Sequence, residues 1–519
     1  MAEKLYPIGV QSFEKLREYD CYYVDKTEFV WKLTHQMAPI FLSRPRRFGK
    51  SLLLSTIHAY FNGQKELFSG LKINDLEKEW KKYPVFHFDF NTVGSESEDD
   101  LKKFLDSQLS DMEEEWAIPS NHDYTPQDRL IRLIKTASKD EERRVVILVD
   151  EYDKPLLNTV DDEPLNDKMR RVLKPFYGVL KSMDRYIRFS MLTGIARFGK
   201  VSIFSDLNNL LDISLNPEFN AVCGVTETEL HTYFSDSIEA LAQKKKRSAD
   251  EIKDELKKTY DGYHFGIPEE CEDIYNPYSL LKCFYNKDIS DYWFESATPS
   301  FLMKRLIRRE FEFPKLTNAY ADRDELLCGI TADDSSLGQL YQTGYLTIKD
   351  YDEDSQLYRL GFPNLEVEKG FDTLTLKAYG SMAKSDFDVS RFRKEVISGE
   401  PEEFMKRLKA FTADFPNDKV PDLEVHWHNI TYLLFKLLGF YTRTEYKTSD
   451  GRIDAVVKTP RYIYVFEFKM DESPEKALAQ IDSKDYPLPF SADGRKLYKI
   501  GVEFTSKCRR IKDYLIVSA

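Results

Sequence analysis

A chain of 519 residues, 42% hydrophobic and 14% aromatic, carries enough apolar material for several folded domains. Its formal charge of -13 excludes a uniformly basic surface for nucleic acid, so phosphate contacts have to come from local patches. No run approaches the roughly 18 apolar residues of a membrane helix, "MAEKLYPIGV" lacks a signal-peptide pattern, and six cysteines without metal-ligand spacing and eight histidines without an H-E-x-x-H pattern argue against zinc, which leaves a cytoplasmic protein without membrane contact as the expectation.

The first informative stretch in chain order is "APIFLSRPRRFGKSLLLSTIHAYF", from Ala38 to Phe61: a short apolar strand, a loop, and a helix opening at Gly49-Lys50-Ser51. That is the order of a phosphate-binding loop, whose backbone amides from Arg47 through Phe48 to Ser51 cradle phosphate oxygens while Lys50 reaches the β and γ phosphates and Ser51 helps hold Mg²⁺. The generic pattern G-x-x-x-x-G-K-[ST] wants glycine where this chain has Arg44. Farther along, "RRVVILVDEYDKPL" reads as a buried strand ending in Asp150 and Glu151, suited to coordinating Mg²⁺ and polarising the attacking water, respectively. The next strand, "YIRFSMLTGIARFGK", ends at Thr193 and is followed by Arg197 and Lys200. Thr193 is either a polar sensor or a turn cap, and Arg197 either contacts a γ phosphate or makes a surface ion pair.

These motifs, with "YYVDKTEFV" from Tyr22 to Val30, resemble an AAA-ATPase-like family of bacterial proteins over about residues 5 to 230. The family's own phosphate loop lacks the first glycine, so the resemblance accommodates Arg44. It implies ATP as cofactor. Asp25 and Lys26 pack near the adenine or form a local salt bridge, and the local bridge is the favoured reading.

The middle region is least legible. Helical stretches and the turn-rich "YDGYHFG" lead to "LGQLYQTGYLTIKDYDEDSQLYRLGFPN", which reads as helix, strand, acidic turn and strand, a winged-helix-like layout. Its acidic tip would repel phosphate, so a helical lid and relay beside the ATP site is preferred. Helices broken at Gly399-Glu400-Pro401 lead into the C-terminal part. "DLEVHWHNITYLLFKLLGF" then reads as an amphipathic helix with Glu424 and His428 on one face.

"GRIDAVVKTPRYIYVFEFKM", from Gly451 to Met470, places Asp454 before a strand that presents Glu467 and Lys469 on one face. Two carboxylates facing one cleft suit a divalent ion that polarises phosphate and acidifies water, and a nearby ammonium stabilises the charge that develops. Downstream, "SPEKALAQIDSKDY" forms a helix carrying Gln480. The set resembles the PD-(D/E)xK nuclease superfamily, with Ile-Asp in place of Pro-Asp. The resemblance implies Mg²⁺ or Mn²⁺ on Asp454 and Glu467, assistance from Lys469, and supporting roles for Glu424 and Gln480.

The expectation is therefore an α/β multidomain chain: an AAA-ATPase-like P-loop domain with a parallel sheet over 1–230, a helical and winged-helix-like region over 231–384, and a PD-(D/E)xK restriction-endonuclease-like domain over 385–519. Its expected function is ATP-regulated, metal-dependent DNA hydrolysis. The alternatives are an ATP-dependent recognition switch with an inactive nuclease fold, acting on DNA or protein, and a toxin-like ATPase switch that binds protein. DNA is the expected partner, with protein binding or self-association left open. Two basic runs, Lys244 to Arg247 and the group Arg495, Lys496, Lys499, Lys507, Arg509, Arg510 and Lys512, are each either a solvated face or a DNA contact.

Overall fold

The computed structural model describes residues 4–138, 144–196, 209–267, 271–295, 300–309, 319–327, 335–380, 389–413, 441–448, 451–506 and 510–518, with single positions between 311 and 316 and between 429 and 436. Two compact units emerge, Met1–Ser296 with Asn318–Val367 and Ala297–Thr317 with Glu368–Ala519. Among the described residues no helix is long and apolar enough to cross a membrane.

The first unit is built on β1 (Ile40–Ser43), β2 (Val85–Asp89), β3 (Val145–Asp150), β4 (Ile187–Gly194) and β5 (Leu211–Asp212). Their order is β2-β3-β4-β1-β5, and every neighbouring pair is parallel. All six residues of β3 are buried, which is why it reads V-V-I-L-V-D without alternation: helices cover both faces of such a sheet. The crossover helices start where the sequence supplies caps. Ser97, Thr125 and Asp162 accept from the amides of Asp100, Asp128 and Leu165, and the Glu98–Glu115 helix buries Leu101, Leu105 and Leu109 at four-residue spacing. Strand order has one functional consequence: β4 lies between the strand that leads into the phosphate loop and the strand that ends in Asp150.

A helical layer follows within the same unit. The Glu227–Lys245 and Ala249–Tyr260 helices each open with a capping box, Thr226 with Glu229 and Ser248 with Glu251. Between β6 (Val225–Thr226) and the Pro277–Asn286 helix runs β7 (Ile274–Tyr275), antiparallel to β6. Leu230, Phe234, Ile252, Leu256, Leu280 and Phe284 form its core, and Tyr6, Tyr22 and Val24 from the leading segment pack against it. The basic run at 244–247 closes the first of these helices, and three of its four cations have internal partners: Lys244 donates to the Asn286 carbonyl, Lys245 pairs with Asp288 and Arg247 with Glu255, while Lys246 is exposed.

The favoured local bridge between Asp25 and Lys26 does not form. Asp25 already accepts from the Thr27 amide and hydroxyl and from the Lys72 amide, so Lys26 turns to Glu229, 2.6 Å away. Both side chains are largely buried, at 11% and 19% exposure. Glu229→Ala, which leaves that ammonium buried alone, is expected to cost about 3 kcal/mol, read from urea unfolding.

The expected helix, strand, acidic turn and strand are present as the Ser336–Gln342 helix, β9 (Thr347–Asp352) and β10 (Leu357–Gly361), with β8 (Ala319–Ala321) added on the outer side of β10. Asp352 caps the turn by accepting from the Asp354 amide.

The second unit centres on β11 (Tyr441–Thr448), β12 (Gly451–Lys458), β13 (Tyr462–Met470), β14 (Lys496–Thr505) and β15 (Arg510–Ser518), ordered β11 to β15. Only β13 and β14 are parallel, and the Pro474–Ser483 helix makes the crossover that a parallel pair requires. The Val389–Ser398 and Pro401–Ala413 helices break where expected. Gly399 has φ +75°, and a Cβ there would run into the Tyr462 ring.

Candidate functional site

At the carboxyl end of the parallel sheet, β1 delivers the chain to the loop 44–49 and the Lys50–Phe61 helix begins. Gly49, with φ +99°, makes the turn into the helix, and Arg47 also takes a left-handed conformation, φ +70°. Lys50 is buried inside the loop, its Nζ donating to the carbonyls of Arg44 and Pro45 at 2.9 and 3.2 Å. Ser51, half-buried, follows it in the first turn.

The structure supplies the reason Arg44 fits where a glycine is usual. Its side chain leaves the loop: the guanidinium donates to the carbonyls of Ser43, Ser214 and Phe219 and lies over the Phe265 ring at 4.1 Å. Burial lowers its pKa from the usual arginine value. Phe48 is likewise turned away, edge-on to Tyr263 and Phe265, while its carbonyl accepts from the Gly224 amide. Arg47 is exposed, with its guanidinium over Tyr278 at 4.7 Å.

Asp150 ends β3, buried, and its Oδ1 accepts from the Thr193 hydroxyl at 2.6 Å and the Glu151 amide at 3.0 Å. Thr193 thus joins the acidic strand rather than only capping a turn. Glu151 has φ +50° and an Oε2 3.9 Å from Lys154 Nζ. Arg197 and Lys200 lie outside the described residues. Asp150 and Ser51 would supply the carboxylate and hydroxyl oxygens, the hard donors that Mg²⁺ prefers.

Two acidic residues escaped the sequence reading. Asp89 ends β2 in register with Asp150, and Asp153 is fully buried, its carboxyl pushed up to about 6 by burial. The signals were there, an apolar strand closing on Asp89 and a third acid in "DEYD", but strand pairing was needed to read them.

In the second unit, Ala455 pairs with Phe466, which brings Asp454 opposite Glu467 on one face of the sheet. Asp454 Oδ2 accepts from the Phe468 amide at 2.7 Å. Glu467 is 1% exposed; its Oε1 accepts from Lys469 Nζ at 3.1 Å and from Gln480 Nε2, while its Oε2 is buried without a partner. Burial and the Asp454 charge push its pKa up to about 7, against the pull of Lys469. Asp454, Glu467, Lys469 and Gln480 are therefore together, whereas Glu424 and His428 lie outside the described residues.

Among the described residues no group of three or more His, Cys, Asp or Glu side chains is arranged for a metal ion. The pair Asp454 and Glu467 nevertheless fits a hard cation: two like charges are forced together, and one buried carboxylate oxygen has no donor.

Gln480 reaches Glu467 because its helix lies close on β14. Gly501 permits this, since a Cβ there would collide with the Pro474 carbonyl and the Ala477 side chain. Gly501→Ala is expected to destabilise the second unit by about 1–3 kcal/mol in a thermal melt, through overpacking. Tyr486, missed in the sequence, donates to the Arg452 carbonyl at 2.8 Å beneath Gln480 and ties that helix end to β12.

Most of the C-terminal basic group has internal partners. Arg495 clamps Asp493, Lys499 pairs with Asp482 at 2.7 Å and Lys512 with Glu503 at 2.6 Å; Lys496 lies over Tyr498. Arg510 is exposed, and Lys507 and Arg509 lie outside the described residues.

Comparison with known proteins bears on both sites. Residues 7–204 match a family described as predicted AAA-ATPase, and residues 422–514 match the PD-(D/E)XK nuclease superfamily. A protein of Azotobacter chroococcum mcd 1, described as an uncharacterized protein in the vnfD 5′ region, is 35% identical over 530 residues, covering 100% of both chains. Among solved structures, the ORC2 protein of Aeropyrum pernix, in ADPNP-ADP complexes, is 11% identical with a TM-score of 0.24, covering 67% of this chain and 92% of that one. CDC6P of Pyrobaculum aerophilum is 10% identical with a TM-score of 0.21, covering 68% and 92%. Scores this low carry no argument. The chain belongs to the family of the Azotobacter protein, and within it a predicted AAA-ATPase domain precedes a PD-(D/E)XK nuclease superfamily domain.

Proposed function

We propose that this protein binds and hydrolyses ATP in its N-terminal half and uses that cycle to regulate metal-dependent hydrolysis of DNA by its C-terminal domain, in the cytoplasm. The observation that carries the nuclease reading is Glu467, a buried carboxylate opposite Asp454 with one oxygen unpartnered and the other held by Lys469 and Gln480. Desolvating such a group costs several kcal/mol of folding stability, an arrangement retained where a cation or a reaction uses it.

In this reading Asp454 and Glu467 hold Mg²⁺ or Mn²⁺. The bound ion supplies Lewis acidity to the phosphate and lowers the pKa of water. Lys469 stabilises the negative charge that grows as water oxygen bonds to phosphorus, the bond to the leaving oxygen breaks, and that oxygen takes a proton. Gln480 keeps Glu467 oriented, and Glu424 is a further acidic contributor. At the other site Lys50 and the loop amides from Arg47 to Ser51 bind the phosphates, with Ser51 and Asp150 on Mg²⁺, Glu151 polarising water, and Thr193 and Arg197 sensing the γ phosphate.

A second reading, an ATP-dependent recognition module without cleavage, is favoured by one observation: the internal pairing of Arg495, Lys499 and Lys512 leaves those cations less available to DNA phosphates. The two separate in one experiment, in which supercoiled, linear double-stranded and single-stranded DNA are incubated with Mg²⁺ or Mn²⁺, with and without ATP. Metal-dependent scission that responds to ATP is the expected result; binding without scission under every condition would move the conclusion to the recognition module.

A further inference from the structure

The ends of β3 and β4 are joined by more than the sheet. The Thr193 hydroxyl donates to Asp150 Oδ1 at 2.6 Å, and the Tyr152 amide donates to the Thr193 carbonyl at 3.1 Å. β4 ends at Gly194, and the chain then turns through Ile195 and Ala196. Asp153 Oδ2 accepts from both the Ile195 and Ala196 amides, each at 2.8 Å, and the Tyr152 hydroxyl donates to the Ala196 carbonyl at 2.7 Å. Gly194 makes the approach possible: a Cβ there would lie 2.7 Å from the Tyr152 ring and 2.8 Å from Asp153 Oδ1.

Asp153 is 0% exposed, and its Oδ1 has no hydrogen-bond partner. A carboxylate kept in such a place has to gain from its other oxygen, which takes the two backbone donors that would otherwise be orphaned at a strand end. Those donors lie two and three residues after Thr193, so their position sets where Thr193 meets Asp150. No hydrogen bond links Asp153 to the phosphate loop among the described residues; it feels the charges of Glu151 and Lys50, and its bonded connection to the nucleotide site runs through the turn after β4.

We infer that Asp153 is a positioning residue for ATP hydrolysis: by gripping the Ile195 and Ala196 amides it holds Thr193 against Asp150 in the geometry that turnover needs. This deepens the ATPase reading above and rests on it. ATP binding depends on Lys50 and the loop amides, to which Asp153 makes no hydrogen bond, so its loss is expected to fall more on turnover than on substrate affinity, and Asp153→Asn separates the two bonds it accepts from the charge that Lys50 feels.

The test is steady-state ATP hydrolysis by the full-length protein, comparing wild type with Asp153→Ala, Asp153→Asn and Gly194→Ala, with thermal melts alongside. Asp153→Ala is expected to lower kcat by at least about tenfold while KM for ATP stays within about twofold. Asp153→Asn, whose amide oxygen can accept from the same two amides, is expected to restore most of the lost kcat. Gly194→Ala, which crowds Oδ1 without removing the carboxylate, is expected to lower kcat at unchanged KM and carries the test should Asp153→Ala fail to fold. Wild-type kcat in both Asp153→Ala and Gly194→Ala, or an Asp153→Asn variant as impaired as Asp153→Ala, overturns the inference and leaves the ATPase reading intact. A wild-type protein that hydrolyses no ATP removes that reading and this inference together.

Discussion

Lys50→Ala is expected to abolish tight ATP binding, whereas Glu151→Gln is expected to bind ATP as wild type does and to turn it over about 100-fold more slowly. The contrast follows from where the two groups sit. Lys50 is buried in the loop with its ammonium held by the Arg44 and Pro45 carbonyls, so it is preorganised to meet phosphate oxygens and little ordering remains to be done on binding. Removing it takes away a buried cation from a loop in which Arg44 points into the Ser214 and Phe219 carbonyls and Arg47 lies over Tyr278. Glu151, with left-handed φ +50°, lies directly beyond Asp150, and its Oε2 is 3.9 Å from Lys154 Nζ, outside the loop. Its neutral isostere therefore leaves the phosphate contacts alone and removes the carboxylate that the proposed mechanism uses to polarise water. Equilibrium nucleotide binding and phosphate release, measured on both variants, separate these outcomes; wild-type behaviour in both would reject the assignments.

Glu467→Ala and Lys469→Ala are each expected to reduce DNA cleavage by about 100- to 1,000-fold, and Glu467→Gln to do so without lowering the melting temperature of the C-terminal domain. The second half of that expectation distinguishes a catalytic carboxylate from a structural one. Glu467 is buried beside Asp454, one oxygen unpartnered, so its charge is a cost to folding and an amide in its place relieves the repulsion. A structural glutamate would show the reverse, a fall in stability and cleavage lost only through unfolding. Lys469 tests a different part of the site, since it shares Glu467 Oε1 with Gln480. If Glu467→Gln binds Mn²⁺ with wild-type affinity by calorimetry, the two-carboxylate metal site is wrong even should cleavage fall.

Much of this was legible in particular stretches of sequence. Apolar β3 ending in Asp150 and Glu151, the strand, loop and helix around Lys50, and the alternation that puts Glu467 and Lys469 on one face of β13 all arise from local rules: periodicity, turn chemistry and helix capping act within a few residues of chain, so the chain records them. Arg44 shows the limit of that record. As a departure from a glycine pattern it is ambiguous, and its role appears only when carbonyls 170 and 175 residues away in the chain are brought to its guanidinium.

The same holds for Lys26, whose partner is Glu229 rather than its neighbour, for the basic residues Lys499 and Lys512, which are paired with acids from other elements, and for Asp153, whose two donors come from the turn after β4. Sequence alone determined the two constellations on which the proposed function rests, a phosphate loop with its acidic strand and an acidic pair with its lysine. Which charges remain available for ligands and which are consumed in holding the fold was decided by tertiary structure, because a hydrogen bond or ion pair is settled by distances of about 3 Å between groups whose separation along the chain carries no information about them.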